Sequence, residues 1–365
     1  MRIAMLCREM PPVGGGAGAV ALQLSRQMVA AGHRVDYVTM QFGEQPTHEL
    51  VDGVQVVRVP CGRRSATTAR VLEMARYLRL ARNYIISQHQ IEPYDVIHAH
   101  SILPEGAVGA TRCLTARKIV TAHGSDVPGY NPDRYEFTHR LAKGLWVKTL
   151  RRVDIVTAPS AFLAELITSA MPSSNPQVIP NGISQSIEFS ERSNRAGVLI
   201  ASRLVPRKGV DVALEALRGL PATTVDIIGD GPELGRLQAL AATLSGHLIR
   251  FHGWLDHNGA EWRERYESAQ FFLQMSSQEN FPVNLLEAQL AGLVVIASDI
   301  PGHREVLGAD AIYVKESSDA LRERLRQEMN KSPANHRANG DRARKRVLGD
   351  FLWPTLCDQY LALYE

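Results

Sequence analysis

The chain lacks the features that would tie it to a disulfide scaffold, a membrane span or a nucleic acid. Its four cysteines, Cys7, Cys61, Cys113 and Cys357, are dispersed over 365 residues without a Cys-x-x-Cys pair, so neither a zinc knuckle nor a disulfide framework is indicated. The longest apolar run, near 290–297, is far short of the ~20 residues that cross a bilayer as a helix. Met1-Arg2-Ile3 leads directly into a predicted strand with no signal-peptide apolar region, which points to the cytoplasm. A net charge of +3 is too small to imply a nucleic-acid partner. Walker A is missing too: Gly14, Gly15, Gly16 and Gly18 are not followed by Gly-Lys-Ser/Thr. The same string departs from G-x-G-x-x-G, and Asp36, the nearby acid, falls inside the second predicted strand instead of at its end. Both points weaken a reading as an NAD-dependent oxidoreductase.

What is present is a repeated alternation of short apolar runs and helical patterns. Runs at 3–6, 35–39, 54–59, 96–99, 119–121 and 155–158 read as strands, with helices at 17–31 and through 70–86 between them. A second series follows at 198–201, 225–228, 249–251, 271–275, 293–297 and 311–313. Short strands joined by helices make a parallel, doubly wound sheet, and 365 residues exceed one ordinary core. The expectation is α/β with two Rossmann-like domains: 1–183, a polar linker at 184–196, 197–345, and an aromatic tail helix at 346–365 carrying Phe351, Trp353, Tyr360 and Tyr364.

Several groups of chemical interest fall where these strands end. Glu279 and Glu287 bracket ENFPVNLLE at 279–287, a turn between a strand and a helix, and ligands of open α/β sheets bind at the strands' carboxyl ends. Two acceptor-only carboxylates there suit the hydroxyls of a sugar or ribose; the plainer reading is a solvated first helical turn. Arg203 and Lys208 follow the first strand of the second series. Cations are disfavoured at a helix start, so this pair favours an anionic ligand, a fork and a point charge for phosphate oxygens. The glycines at 14–16 lie before a helix, where backbone N–H groups can approach an anion. His123, in TAHGSDV, follows another strand and could donate a hydrogen bond to a sugar hydroxyl or phosphate. His98 and His100 alternate on one strand, without apparent third and fourth metal ligands.

Charge is uneven along the first half. Arg134, Arg140, Lys143, Lys148, Arg151 and Arg152 face one acid, Glu136, with Trp146 among them. Upstream, Val71, Met74, Leu78, Ala81 and Ile85 share a predicted helical face while Arg76, Arg79 and Arg82 lie off it. Two surface helices with apolar faces inward is one reading. The other is an electrostatic contact with an anionic membrane leaflet, peripheral on its cytoplasmic side.

PPVGGGAGA at 11–19, TAHGSDV at 121–127, VIPNGI at 178–183, ASRLVPRKGVDVALEAL at 201–217, GDGPE at 229–233 and the segment 275–307 resemble, in order, the family 4 glycosyltransferases. The resemblance implies the GT-B fold, two Rossmann-like domains facing a cleft, and transfer of a sugar from a nucleotide-diphosphate sugar with retention of anomeric configuration. It implies that Arg203 and Lys208 bind the donor phosphates, that Gly15 or Gly16 touches them, and that His123 lies beside the transferred sugar. Glu279 is then expected on sugar hydroxyls, Glu287 on ribose, and the backbone of Asn280, Phe281 and Pro282 around the sugar. Where many members have Gly, this chain has Pro282, which removes a backbone donor. No Asp-x-Asp pair is present, so no metal or other cofactor is expected; Arg203, Lys208 and helix N-termini would replace the cation. The acceptor is a glycan, a lipid-linked molecule or a small molecule. A non-catalytic sugar-nucleotide or glycan-binding protein of the same fold is the alternative, and the joint presence of His123, Arg203, Lys208, Glu279 and Glu287 counts against it.

Overall fold

The computed structural model describes residues 1–66, 68–184, 187–190, 194–257 and 259–365. It divides into two compact units, Met1–Gly182 with Trp353–Glu365, and Ile183–Leu352.

Among the described residues of the first unit, β1 (Arg2–Leu6), β2 (Arg34–Phe42), β3 (His48–Val51), β4 (Val54–Arg63), β5 (Val96–Ala99), β6 (Arg117–Thr121), β7 (Ile155–Ala158) and β8 (Gln177–Val178) form one sheet in the order β3-β4-β2-β1-β5-β6-β7-β8. All neighbours are parallel except β3, which pairs antiparallel with β4 at the edge. The second unit has β9 (Val198–Ala201), β10 (Thr224–Ile228), β11 (Leu248–Gly253), β12 (Phe271–Gln274), β13 (Val294–Ser298) and β14 (Ile312–Val314), ordered β11-β10-β9-β12-β13-β14.

The period of two in these strands explains why both faces are covered. In β1, Ile3 and Met5 enter one core and Ala4 and Leu6 another; in β9, Val198 and Ile200 face one core, Leu199 and Ala201 the other. Strands apolar on both faces need helices on both faces, as parallel sheets require. In each sheet the chain runs outward from the centre in two directions, so a switch point lies between β1 and β5 and another between β9 and β12.

Three expectations shift. Of the stretch expected as a polar linker, residues 185, 186 and 191–193 lie outside the described residues, but Ile187 and Phe189 are buried in the second unit, Phe189 against Trp262 and Tyr266. Two apolar residues without periodic neighbours give no sequence signal, yet they anchor the segment. The tail also begins later than 346: the helix Pro333–Asp350 belongs to the second unit, and Trp353, Leu356, Cys357, Tyr360 and Tyr364 of the helix Trp353–Tyr364 join the first unit's core. In the helix Val71–Ile91, Val71 is exposed, while the other expected members face inward, Ala81 and Ile85 buried and Met74 and Leu78 half-buried against the same core; Glu73, Tyr77 and His89 join them, Glu73 drawn in by the N–H of Arg70 at 2.8 Å. Among the described residues, no helix is long and apolar enough to cross a membrane.

Candidate functional site

The second unit's charged residues gather at its switch point. A 3-10 turn, Pro206–Lys208, follows β9, and the turn at 275–282 follows β12. Gly209 lets the two loops meet: it has φ 61°, and a Cβ there would lie 2.0 Å from the carbonyl oxygen of Met275. Across this contact Lys208 Nζ pairs with Glu279 Oε1, both side chains nearly out of water at 12% and 10% exposure. Ser276 Oγ (2.9 Å) and Gln274 Nε2 (3.2 Å) donate to the same oxygen. Asn284 Nδ2 ties the strand ends, donating to Ala201 O and Gln274 Oε1 at 2.7 Å each.

Burial works against the Glu279 charge, but Lys208 and the Ser276 hydroxyl outweigh it and hold the carboxyl below its usual range. Burial lowers the Lys208 pKa in turn, against the pull of Glu279 and with the repulsion of Arg207 and Arg203. Arg203 itself is exposed, so its charge reaches Lys208 while its guanidinium faces solvent. Three donors converge on Glu279 Oε1, which leaves Oε2 available to accept.

Expected on ribose, Glu287 is not an open acceptor. It is buried, Oε1 meeting His257 Nε2 at 2.6 Å and Oε2 accepting from Tyr266 O–H at 2.9 Å. Burial disfavours the imidazolium of His257, yet Glu287 raises its pKa overall. The turn expected around the sugar is itself held by the core: Asn280, Phe281 and Pro282 are buried, and the Phe281 ring lies 5.8 Å from that of Phe351. Phe281 thus serves first as an anchor, because a large apolar side chain contributes more by leaving water.

The first unit's residues gather at its own switch point, where β1, β5 and β6 are neighbours. Asp126 accepts from the N–H groups of His123 (3.0 Å), Gly124 (3.1 Å) and Ile102 (2.6 Å), fixing the turn that presents His123. His123 Nε2 lies 3.0 Å from His100 Nδ1, and His100 Nε2 lies 3.1 Å from Met5 Sδ. A thioether is a weak acceptor and no donor, so the sequence favours His100 N–H toward Met5 and His123 Nε2–H toward His100. His123 then offers Nδ1 as an acceptor, not the donor expected from sequence. His98 is spent on Tyr364 O–H and Thr121 Oγ1, each 2.6 Å away. Burial pushes His98 and His123 down to about 3 and His100 well below its ordinary value.

The glycine loop also differs from expectation. Gly15 caps the helix Gly16–Ala30, but its N–H already donates to Glu9 Oε2 at 2.8 Å. Gly14, with φ 98°, makes room for that side chain: a Cβ would lie 2.4 Å from Glu9 Cβ. An internal carboxylate occupies the N–H expected for a phosphate, and Gly16 remains exposed. Beside it, Arg8 is held by the buried Glu105 at 2.8 Å, and Glu105 raises the guanidinium pKa.

The structure thus joins Lys208 to Glu279 with Arg203 close in charge, and joins His123 to His100. Sequence reading missed Glu9, His100 as the neighbour of His123, Gln274 and Ser276 beside Glu279, and His257 and Tyr266 on Glu287. Gln274 and Ser276 lie within five residues of Glu279 and could have been suspected; His257 is 30 residues from Glu287 and carries no local signal.

Comparison with known proteins bears on this arrangement. Residues 14–186 match the model of Glycosyltransferase Family 4, and residues 184–346 that of Glycosyl transferases group 1. Over its whole length the chain is 26% identical to 96% of the GDP-mannose-dependent alpha-mannosyltransferase of Mycobacterium tuberculosis. It is 24% identical to 96% of the N-acetyl-alpha-D-glucosaminyl L-malate synthase of Bacillus anthracis, again over its whole length. In fold it resembles sucrose-phosphate synthase from Thermosynechococcus elongatus, with a TM-score of 0.83 at 22% identity, covering 100% of this chain and 98% of that one.

Proposed function

The chain belongs to the family 4 glycosyltransferases of GT-B fold, and on that premise we propose that it moves a sugar from a nucleotide-diphosphate donor to a glycan, lipid-linked or small-molecule acceptor with retention. That it is a glycosyltransferase using nucleotide sugars follows from the family; the donor sites, the stereochemistry and metal independence are our reading.

The observation that carries it is the Lys208–Glu279 pair at the β9/β12 switch point. An ammonium has three N–H groups. With one on Glu279, the others are free to bind diphosphate oxygens, joined by the Arg203 guanidinium from solvent. Preorganised positive charge aimed at a leaving group is usually the largest catalytic contribution. Glu279 Oε2 accepts from a sugar hydroxyl, so one carboxylate both orients Lys208 and reads the carbohydrate. Glu287 receives the ribose hydroxyls, with His257 sharing or yielding its place. On the first unit, His123 Nδ1 accepts from a hydroxyl of the sugar or acceptor, and neutrality at that site avoids repelling an oxocarbenium-like state.

In the step itself, the acceptor oxygen bonds to the anomeric carbon on the face from which the phosphate departs. The carbon–oxygen bond to phosphate breaks with its electron pair going to the nucleoside diphosphate, and a phosphate oxygen takes the acceptor's proton. Lys208 and Arg203 supply the charge that a divalent cation would otherwise bring.

The test is nucleotide release from a panel of UDP-, GDP- and ADP-sugars, with mass spectrometry and anomeric analysis of the acceptor product. Retention with activity undiminished by EDTA supports the reading; inversion, or a strict Mg or Mn requirement, contradicts it.

A further inference from the structure

The helix Pro132–Leu150 carries the basic run for which the sequence offers both a packed surface helix and a membrane contact. Its inward anchor is Trp146, buried, with Nε1–H donating to Asp126 O at 2.8 Å; His139 Nε2 adds a contact to Ser125 O at 3.0 Å. Opposite Trp146, the steps of three and four residues that share a helical face run Arg134, Phe137, Leu141, Leu145, Lys148. The three apolar members are exposed, Phe137 by 76%, Leu141 by 73% and Leu145 by 52%. Arg134 and Lys148 close the row at its ends, with Arg140 exposed beside it. Single exposed apolar residues need no explanation, but a contiguous ridge rimmed by charge marks an interaction surface.

A second helix extends the same pattern. Val71–Ile91 exposes Val71 by 85% and Leu72 by 74% in its first turn, with Arg70, Arg76, Arg79 and Arg82 also exposed. Both helices pack against the short helix Glu105–Gly109. Their outward residues therefore belong to neighbouring parts of one unit.

We propose that this face docks on an anionic lipid leaflet, with Phe137, Leu141 and Leu145 inserted among the acyl chains and Arg134, Arg140 and Lys148 on the headgroups. A bilayer surface offers both chemistries at once: negative charge above and hydrocarbon within reach of a helix lying in the plane. A second copy of the chain is a poor occupant, because it would bring like charges together across the contact. Membrane docking of this face stands independently of the donor chemistry and favours a lipid-linked acceptor over a soluble one.

The experiment measures vesicle binding with no donor or acceptor present, so its outcome is separate from that of glycosyl transfer. The protein should sediment with phosphatidylcholine vesicles containing phosphatidylglycerol and be released at high salt. Arg134→Gln with Lys148→Gln should weaken that binding about 25-fold, some fivefold for each cation. Phe137→Ser with Leu141→Ser should weaken it about tenfold or more, since both lose apolar surface that leaves water. In a Leu141→Trp variant the emission of the new indole should shift to the blue on anionic vesicles. Unchanged far-UV circular dichroism and nucleotide release confirm that these surface variants are folded. Absence of sedimentation, equal binding to pure phosphatidylcholine, or an unshifted indole emission would overturn insertion. So would light scattering that shows a dimer which Phe137→Ser with Leu141→Ser converts to monomer.

Discussion

The two switch points gather different side chains. In the second unit ionisable groups meet in pairs: Lys208 with Glu279, His257 with Glu287. In the first, His98, His100 and the half-buried His123 are stacked or bonded in a row with depressed pKa values, and the Arg8–Glu105 ion pair lies beside it. The same Rossmann-like frame thus carries an ammonium–carboxylate pair at one switch point and a row of histidines at the other. What differs is the side-chain set that folding gathers there, not the topology.

The largest effect should come from removing the ammonium. Lys208→Ala should lower turnover by about 10²–10³-fold, the scale for losing one preorganised electrostatic group. It should also cost about 3 kcal/mol of stability, because Glu279 is left nearly out of water without its counter-charge, on the Ser276 and Gln274 donors alone. Lys208→Met combined with Glu279→Gln should recover most of that stability in urea unfolding while staying inactive. Recovery of activity in the double variant would place the anion site elsewhere.

Acid should separate the two units next. Unfolded histidines bind protons below about pH 6.5, whereas native His98 and His123 do so only near 3. Their contribution is full above about pH 6.5 and is lost as pH falls, by up to about 1.4 kcal/mol per pH unit for each histidine. Histidine ring NMR during acid titration should show the first unit losing its fold before these rings titrate. Titration of both near pH 6.5 in the folded protein would break the contrast.

The second unit should respond to base. The folded pKa of His257 is raised, so its contact with Glu287 is at full strength below about pH 6.5 and is lost as pH rises through the raised value. Donor affinity should then increase by a few-fold as Glu287 becomes available to ribose, and His257→Gln should flatten that dependence in titration calorimetry. An unaltered pH profile in the variant would separate His257 from ribose binding.

The smallest effect concerns the glycine loop. If Glu9 competes with a donor phosphate for the Gly15 N–H, Glu9→Gln should tighten binding about fivefold, the range of a charge at a helix N-terminus. Weaker binding would instead make Glu9 a support for the loop.

These contrasts were legible from sequence to different depths. The strands were, because unbroken apolar runs such as 198–201 and 293–297 can only be buried on both faces; β3 was not, since His48–Val51 is a largely exposed edge strand. Glu279, Lys208 and His123 were legible as strand-end residues. Their partners were not: whether Glu279 faces a ligand or Lys208 depends on how closely the loops after β9 and β12 approach, which Gly209 decides through space. Glu9 was passed over beside a conspicuous glycine string because a carboxylate six residues from Gly15 becomes its ligand only once the turn folds back. The exposed ridge on Pro132–Leu150 was missed for the opposite reason. Periodicity locates an apolar stripe on a helix but does not say whether Phe137 or Trp146 points inward.

The most direct measurement is titration calorimetry of nucleosides and nucleoside diphosphates on the native protein and on Lys208→Gln. A diphosphate gripped by the ammonium predicts that the variant loses about tenfold or more in affinity for the diphosphate and none for the nucleoside. Equal affinity of the two proteins for the diphosphate would contradict the account.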